Sequence, residues 1–368
     1  MRFINYNGEY KIVSLALDER AKKELIENKL SFLYVNLPSN ALELYPDGLV
    51  LSTDKEDVEL IKKFNNFDVF ELRENGLLIR KYDDSSVENV FYITGKCNSN
   101  CMMCPSPEFS RKKAPPANLN ELLMLARHIP SDTPHLTITG GEPFMMGESI
   151  FIFLNYLKEK FTKTDFLILT NGRIFAVEEY VKDFCSTAPL NTLVAIPLHG
   201  SNAQIHDSIT RSKDSFVQTV IGLENLIRVG VSIEIRLVVS KINMHDFDNM
   251  AKLIIERFKR VEYVSIIAME MTGTARDNLD QVWLTYKQAF TSVKSSVESL
   301  IDNGIDVKLY NFPLCTVEKS FWPLCEKSIS PNKVRFIESC NKCKYKGACS
   351  GVFAGTIMLE RDELKPLL

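Results

Sequence analysis

From Asn89 onward, six short apolar runs alternate with amphipathic stretches, a rhythm that fits a parallel sheet covered by helices. The runs are VFYIT (90–94), HLTIT (135–139), FLILT (166–170), TLVAIPL (192–198), IEIRLVV (233–239) and YVSIIAM (263–269). Between and after them, helices are predicted at about 118–129, 147–160, 176–185, 214–229, 246–258 and 282–302, with Gly or Pro at most of the turns. Six such units predict an α/β fold built on a partial, TIM-like (βα)6 barrel over residues 88–303. In barrels of this kind chemistry sits on the loops that follow the strand C-termini.

At 368 residues the chain exceeds what one core comfortably supports. Residues 1–87 mix strand-like runs (10–15, 32–35, 77–80) with polar helical stretches (19–29, 55–65) and predict a small N-terminal α+β unit. After about 304 the rhythm breaks into short strands and cysteine-rich loops, which predicts a metal-stapled C-terminal domain over 304–368. The tail ERDELKPLL reads as a solvated end.

The opening MRFINYNGEYK lacks the apolar core of a signal peptide, and no apolar run approaches the length a membrane helix needs. A cytoplasmic protein without membrane attachment is expected. A formal charge of -3 leaves no electrostatic footprint for nucleic acid. In a reducing cytosol nine cysteines are better explained by metal ligation than by disulfides. Three lie at 97–104, five between 315 and 349, and Cys185 stands alone on the apolar face of a predicted helix, where a core role is expected.

Cys97-x3-Cys101-x2-Cys104 follows the first strand in a loop tight enough for three thiolates to converge, and soft thiolates select zinc, copper(I) or iron–sulfur clusters. In a cubane cluster three ligands leave one iron for a small chelator, such as the amino and carboxylate groups of S-adenosylmethionine (SAM). Zinc completed by a distant residue is the alternative. After the second strand comes Gly140-Gly141-Glu142-Pro143, where two glycines permit close backbone approach and a carboxylate can accept an ammonium's protons. Thr170 and Asn171 end the third strand, as polar ligands or as a capped turn. Arg236 lies in the apolar fifth strand and needs a carboxylate partner, either SAM's own or a barrel acid. A second set, Cys340-x2-Cys343-x5-Cys349 preceded by Cys315 and Cys325, also has spacing compatible with zinc.

In order and spacing, the Cys-x3-Cys-x2-Cys loop and the Gly-Gly-Glu-Pro turn resemble the radical SAM superfamily. The resemblance implies a 4Fe-4S cluster with SAM on Cys97, Cys101 and Cys104. It further implies a cradle for the methionine amino group from Gly140, Gly141, Glu142 and Pro143, and Met103 packed near the adenine in a slot often aromatic. Thr170 and Asn171 would lie near the SAM ribose or sulfonium. The second set resembles the auxiliary cluster domains called SPASM or twitch, except that Phe353 takes the place of the last cysteine. That departure implies a reduced, twitch-like unit with one second 4Fe-4S cluster on Cys315, Cys340, Cys343 and Cys349, Cys325 being the other candidate for the upstream ligand.

Longer stretches, AMEMTGTARDNLDQVW (268–283), LYNFPLC (309–315), SFWPLCEKSIS (320–330) and CNKCKYKGACSGVFAG (340–355), resemble the radical SAM maturases of the His-Xaa-Ser peptide system, the HxsC type. In those the position of Cys325 is typically not cysteine. The implied activity is reductive cleavage of SAM to a 5'-deoxyadenosyl radical and modification of a small ribosomally made peptide. Its implied partners are a flavodoxin or ferredoxin reductant and a second radical SAM protein. Competing readings are a radical SAM enzyme acting on a protein side chain or nucleotide base, and a non-catalytic zinc-binding interaction protein. Glu270, with Thr272 and Arg276, follows the sixth strand as a candidate catalytic group or a helix cap. His199, with His206 and Asp207, follows the fourth as a candidate proton carrier.

Overall fold

The computed structural model describes residues 1–36, 41–52 and 55–368. Its N-terminal part holds a six-stranded sheet of β1 (Lys11–Ala16), β2 (Phe32–Asn36), β3 (Ala41–Tyr45), β4 (Leu49–Leu51), β5 (Val69–Leu72) and β6 (Leu78–Tyr82), in the order β4-β3-β2-β1-β5-β6. Only β1 and β2 run parallel; the other pairs are antiparallel. Helix Glu19–Glu27 forms as expected, with the Asp18 carboxylate accepting from the Ala21 N–H at its N-terminus. The sequence reading missed β3, β4 and β5, which are short. The sheet leans on helix Leu119–His128, where Ser14 Oγ meets His128 Nδ1 at 3.0 Å, and on the turn after it, where Tyr82 OH meets Thr133 Oγ1 at 2.8 Å.

The second sheet is entirely parallel. It contains β7 (Val90–Tyr92), β8 (His135–Thr139), β9 (Asp165–Leu169), β10 (Thr192–Pro197), β11 (Ser232–Val238), β12 (Tyr263–Ile267), β13 (Val307–Tyr310) and β14 (Cys325–Glu326). Spatial order equals chain order, with β7 and β14 at the edges. Right-handed crossovers that always step the same way put every helix on one face. That face carries Phe91, Leu136, Ile138, Phe166, Ile168, Val194, Ile235, Val264 and Leu309, which pack with Phe153, Leu223, Ile254 and Val297 from the helices into one core. The opposite face carries Tyr92, Thr137, Arg236, Tyr263, Lys308 and Tyr310, all at least partly accessible. Among the described residues no helix is long and apolar enough to cross a membrane.

The six expected strands and six long helices are present, within a few residues of the expected bounds. Two more strands exceed the expectation. β13 pairs in parallel with β12, with Val307 beside Val264 and Leu309 beside Ile266, so the main sheet extends past residue 304. Beyond it lies the small hairpin of β15 (Val334–Arg335) and β16 (Val352–Phe353).

Candidate functional sites: two cysteine pockets

The loop after β7 carries Cys97, Cys101 and Cys104 and is held mostly through its backbone. Asn100 N–H donates to Thr210 O at 2.9 Å and Met102 N–H to Ile209 O at 2.9 Å, tying it to helix Ala203–Thr210. Ala275 N–H donates to Cys104 O at 3.3 Å and Asn278 Nδ2 to Met102 O at 3.2 Å from the segment after β12. Gly273 sits at φ +56 with its α-carbon so close to Pro105 that a Cβ would come 2.2 Å from the Pro105 oxygen. Buried Arg111 reaches Ser106 O and Asn100 Oδ1, and Thr274 Oγ1 at 3.3 Å.

Gly140 and Gly141 are glycines for a visible reason. A Cβ on the first would lie 2.4 Å from Thr94 O, and one on the second 2.3 Å from Lys96 O. Their backbone meshes with the strand that enters the cysteine loop, through Gly141 N–H to Thr94 O at 2.6 Å and Glu142 N–H to Lys96 O at 2.8 Å. Glu142 is buried, and burial raises its carboxyl pKa above the ordinary value. Its Oε1 accepts from Thr170 Oγ1 at 2.8 Å and from Phe144 N–H at 3.1 Å, and Oε2 accepts from Asn171 N–H at 2.7 Å. Thr170 and Asn171 therefore brace Glu142, and Pro143 opens the short turn Pro143–Met146 that Glu142 caps. Asn171 Nδ2 also donates to Asn98 Oδ1 at 2.6 Å.

The sequence reading missed Arg173, which joins this bracing to the cysteine loop. Its Nη1 donates to Asn98 O at 2.8 Å, Ser99 Oγ at 3.1 Å and Ser212 Oγ at 2.8 Å, while Nε donates to Gln218 Oε1 at 2.7 Å. The available signal was its place two residues beyond Asn171. Met103 is buried beside Met102, Met269 and Met271 in an apolar cluster under the loop.

Burial raises the Cys97 thiol pKa and pushes that of Cys101 up to about 12, with nearby thiols adding to both effects. Three soft donors carried by one short, partly buried loop fit a cationic, thiophilic group, whose binding would draw off their protons. Among the described residues no three His, Cys, Asp or Glu side chains approach closely enough to hold a single ion.

Arg236 finds its carboxylate within the sheet: Nη1 lies 3.3 Å from Glu234 Oε1, and the guanidinium sits over the Tyr310 ring at 6.0 Å. Glu234 is fully buried and also accepts from Ser265 Oγ and, at 3.3 Å, from Tyr263 OH. Arg236 therefore has an internal acid within reach, one of the two kinds of partner expected for it. Glu270 pairs with Lys333 at 3.3 Å. Thr272 N–H turns back to Glu270 O, and Arg276 N–H to Gly273 O, at 3.1 Å each. His199 is buried, its Nδ1 has no partner, and burial pushes its pKa down to about 3, so the ring is neutral near pH 7. Its backbone N–H donates to His206 Nδ1 at 3.2 Å. Asp207 is a capping group that accepts from Ser215 Oγ and Phe216 N–H. Contrary to expectation, Cys185 is exposed; helix Glu178–Thr187 buries Val181 and Phe184, and Cys185 falls one position off that stripe.

The second pocket is walled by Cys315, Cys340, Cys343 and Cys349, together with Leu314, Phe336, Val352, Leu364 and Leu367. Cys349 Sγ accepts from Leu314 N–H and Gly351 N–H at 3.4 Å each. Cys325 stands on β14, outside this wall, with its Sγ 3.7 Å from Phe321 O. Four thiols around one small pocket fit a thiophilic group with one cysteine for each of four metal positions. The tail expected to be solvated is so in part: Arg361, Asp362, Glu363, Lys365 and Leu368 are exposed, whereas Leu364 is buried and Leu367 N–H donates to Cys343 Sγ at 3.4 Å.

Residues 91–254 match the radical SAM superfamily. The chain is 24% identical over 252 residues to the antilisterial bacteriocin subtilosin biosynthesis protein AlbA of Bacillus subtilis, covering 68% of this chain and 53% of AlbA. It is 25% identical over 191 residues to the AdoMet-dependent heme synthase of Nitratidesulfovibrio vulgaris, covering 52% of this chain and 50% of that protein. The chain thus spans about half the length of these relatives. Its fold superposes on the crystal structure of Streptococcus suis SuiB bound to S-adenosylmethionine with a TM-score of 0.50 at 16% identity, covering 86% of this chain and 64% of that one.

Proposed function

We propose, from the match of residues 91–254 to the radical SAM superfamily, that the chain is a peptide-modifying radical SAM enzyme of the His-Xaa-Ser, HxsC type. The observation that carries the reading is the mesh at the C-terminal ends of β7, β8 and β9, where the Cys97–Cys104 loop, the glycine turn and Arg173 interlock. In this reading Cys97, Cys101 and Cys104 hold a 4Fe-4S cluster, which with SAM bound supplies reductive cleavage to methionine and a 5'-deoxyadenosyl radical.

The chain's own residues position and exclude. Arg173 and Arg111 fix the cysteine loop from opposite sides, which limits the reach of the thiols before any ligand arrives. Glu142 orders the turn that faces the loop, and the remaining lone pair on its Oε2 could accept from an ammonium group. Met103 and its neighbouring methionines give an apolar, polarizable floor suited to an adenine. Cys315, Cys340, Cys343 and Cys349 form the second site and would hold an auxiliary 4Fe-4S cluster, supplying one thiolate for each iron. The name of AlbA, a bacteriocin biosynthesis protein, supports a peptide substrate, as do the sequence stretches shared with the His-Xaa-Ser maturases. A flavodoxin or ferredoxin reductant and a second radical SAM protein complete the proposed partners. Heme synthases among the relatives make a non-peptide substrate the competing outcome.

The test is anaerobic reconstitution with iron and sulfide, then dithionite and SAM, with 5'-deoxyadenosine measured by chromatography. Formation that vanishes in the Cys97/Cys101/Cys104→Ala variant is expected, with a mass change in a His-Xaa-Ser type peptide. An iron-loaded protein that makes no 5'-deoxyadenosine with that peptide present would sink the reading, and a colourless zinc-loaded protein would replace it with a metal-stapled binding module.

A further inference from the structure

The last residues of the chain do more than end it. Leu364 is buried in the main core, and its N–H donates to Glu360 O at 3.2 Å. Leu364, Lys365 and Leu367 all line the four-cysteine pocket. Leu367 N–H donates to Cys343 Sγ at 3.4 Å, while Leu367 O accepts from Lys344 N–H at 3.0 Å, so the segment is bonded on both sides of that cysteine. One of the four sulfurs thus takes a hydrogen bond from this segment, and its leucines line a side of the same pocket.

We propose that the segment Leu364–Leu367 is a positioning element for the iron–sulfur group of the second cysteine pocket, closing it to solvent and raising its reduction potential through the Leu367 N–H bond to Cys343. The inference rests on the reading of that pocket as a cluster site. A donor aimed at a ligand sulfur favours the form with more negative charge, which for a cluster is the reduced one, and potentials respond to such bonds and to exposure. Exclusion of water works in the opposite direction, so the two contributions are separable by different variants.

The experiment uses the full chain with Cys97, Cys101 and Cys104 changed to Ala, so that only C-terminal iron remains. In this background Leu367→Pro removes the N–H while keeping an apolar side chain, and Leu367→Ala keeps the N–H. Deletion of residues 364–368 removes both cover and donor. Potentiometric titration is expected to give a more negative midpoint for Leu367→Pro than for the parent, with Leu367→Ala close to the parent. Loss of iron from Leu367→Pro and not from Leu367→Ala would equally support the donor role. The deletion should surrender iron to a chelator several-fold faster. One midpoint for all three full-length proteins, with unchanged iron release on deletion, overturns the proposal. A parent that holds no iron overturns the cluster reading itself, a separate and recognisable failure.

Discussion

Glu142 is a charge placed where an isolated carboxylate would be costly, and three donors offset that cost from two neighbouring loops. Such a residue organises its surroundings because removing it strands the Thr170 hydroxyl and the Asn171 N–H. At the same scale, the choice between Cys315 and Cys325 turns on position: the first shares a wall with Cys340, Cys343 and Cys349, whereas the second points toward Phe321 O. Cys315→Ser is expected to lower reconstituted iron by about four per chain, the content of one cubane. Cys325→Ser should leave the count unchanged. Equal iron loss in both variants would refute the assignment. The cysteine spacing exposed the candidates but could not separate these two, because loop paths after β13 decide which thiol turns inward.

Helix Tyr286–Asp302 begins against the C-terminal helix Ile357–Glu360 through one carboxylate, with Glu360 Oε1 accepting from Tyr286 N–H at 2.8 Å while Oε2 is buried without a partner. Proximity to a helix N-terminus favours the charged form, yet burial dominates and pushes the Glu360 pKa up from 4.5 to about 7. The carboxyl is therefore neutral in the folded protein at pH 5.5 and ionised in the unfolded one. Its contribution to stability is complete below about pH 4.5 and is lost as pH rises to about 7. Glu360→Gln should flatten this part of the profile and be the more stable protein at pH 8, by on the order of 1–3 kcal/mol. Denaturant melts at pH 5 and pH 8 measure it, and an identical pH dependence in parent and variant would count against the buried carboxyl. Nothing in the sequence around Glu360 distinguishes it from the exposed acids beside it.

The whole molecule is organised around one parallel sheet whose last strands come from the segment that also builds the second cysteine pocket. β13 and β14 extend the sheet beyond β12, and Phe312 and Phe321 pack with Phe290 of the preceding helix. A fragment ending at residue 303 is expected to lose cooperative unfolding and expose apolar surface, because β12 and the helix after it lose the face they pack against; a fragment with a sharp melt and no dye binding would refute this. The sequence alone determined the six βα units, the placement of the candidate site residues after strand ends and the two groups of cysteines. Those properties are local or periodic, written in spacing that any viable fold must respect. Only the tertiary structure decided that Arg236 is paired with Glu234, that Arg173 clasps the cysteine loop, that Cys185 faces outward and that Leu364 and Leu367 line the second pocket. Each of these depends on which distant segments become neighbours, and hydrogen-bond partners and burial at that range leave no periodic trace in a single chain.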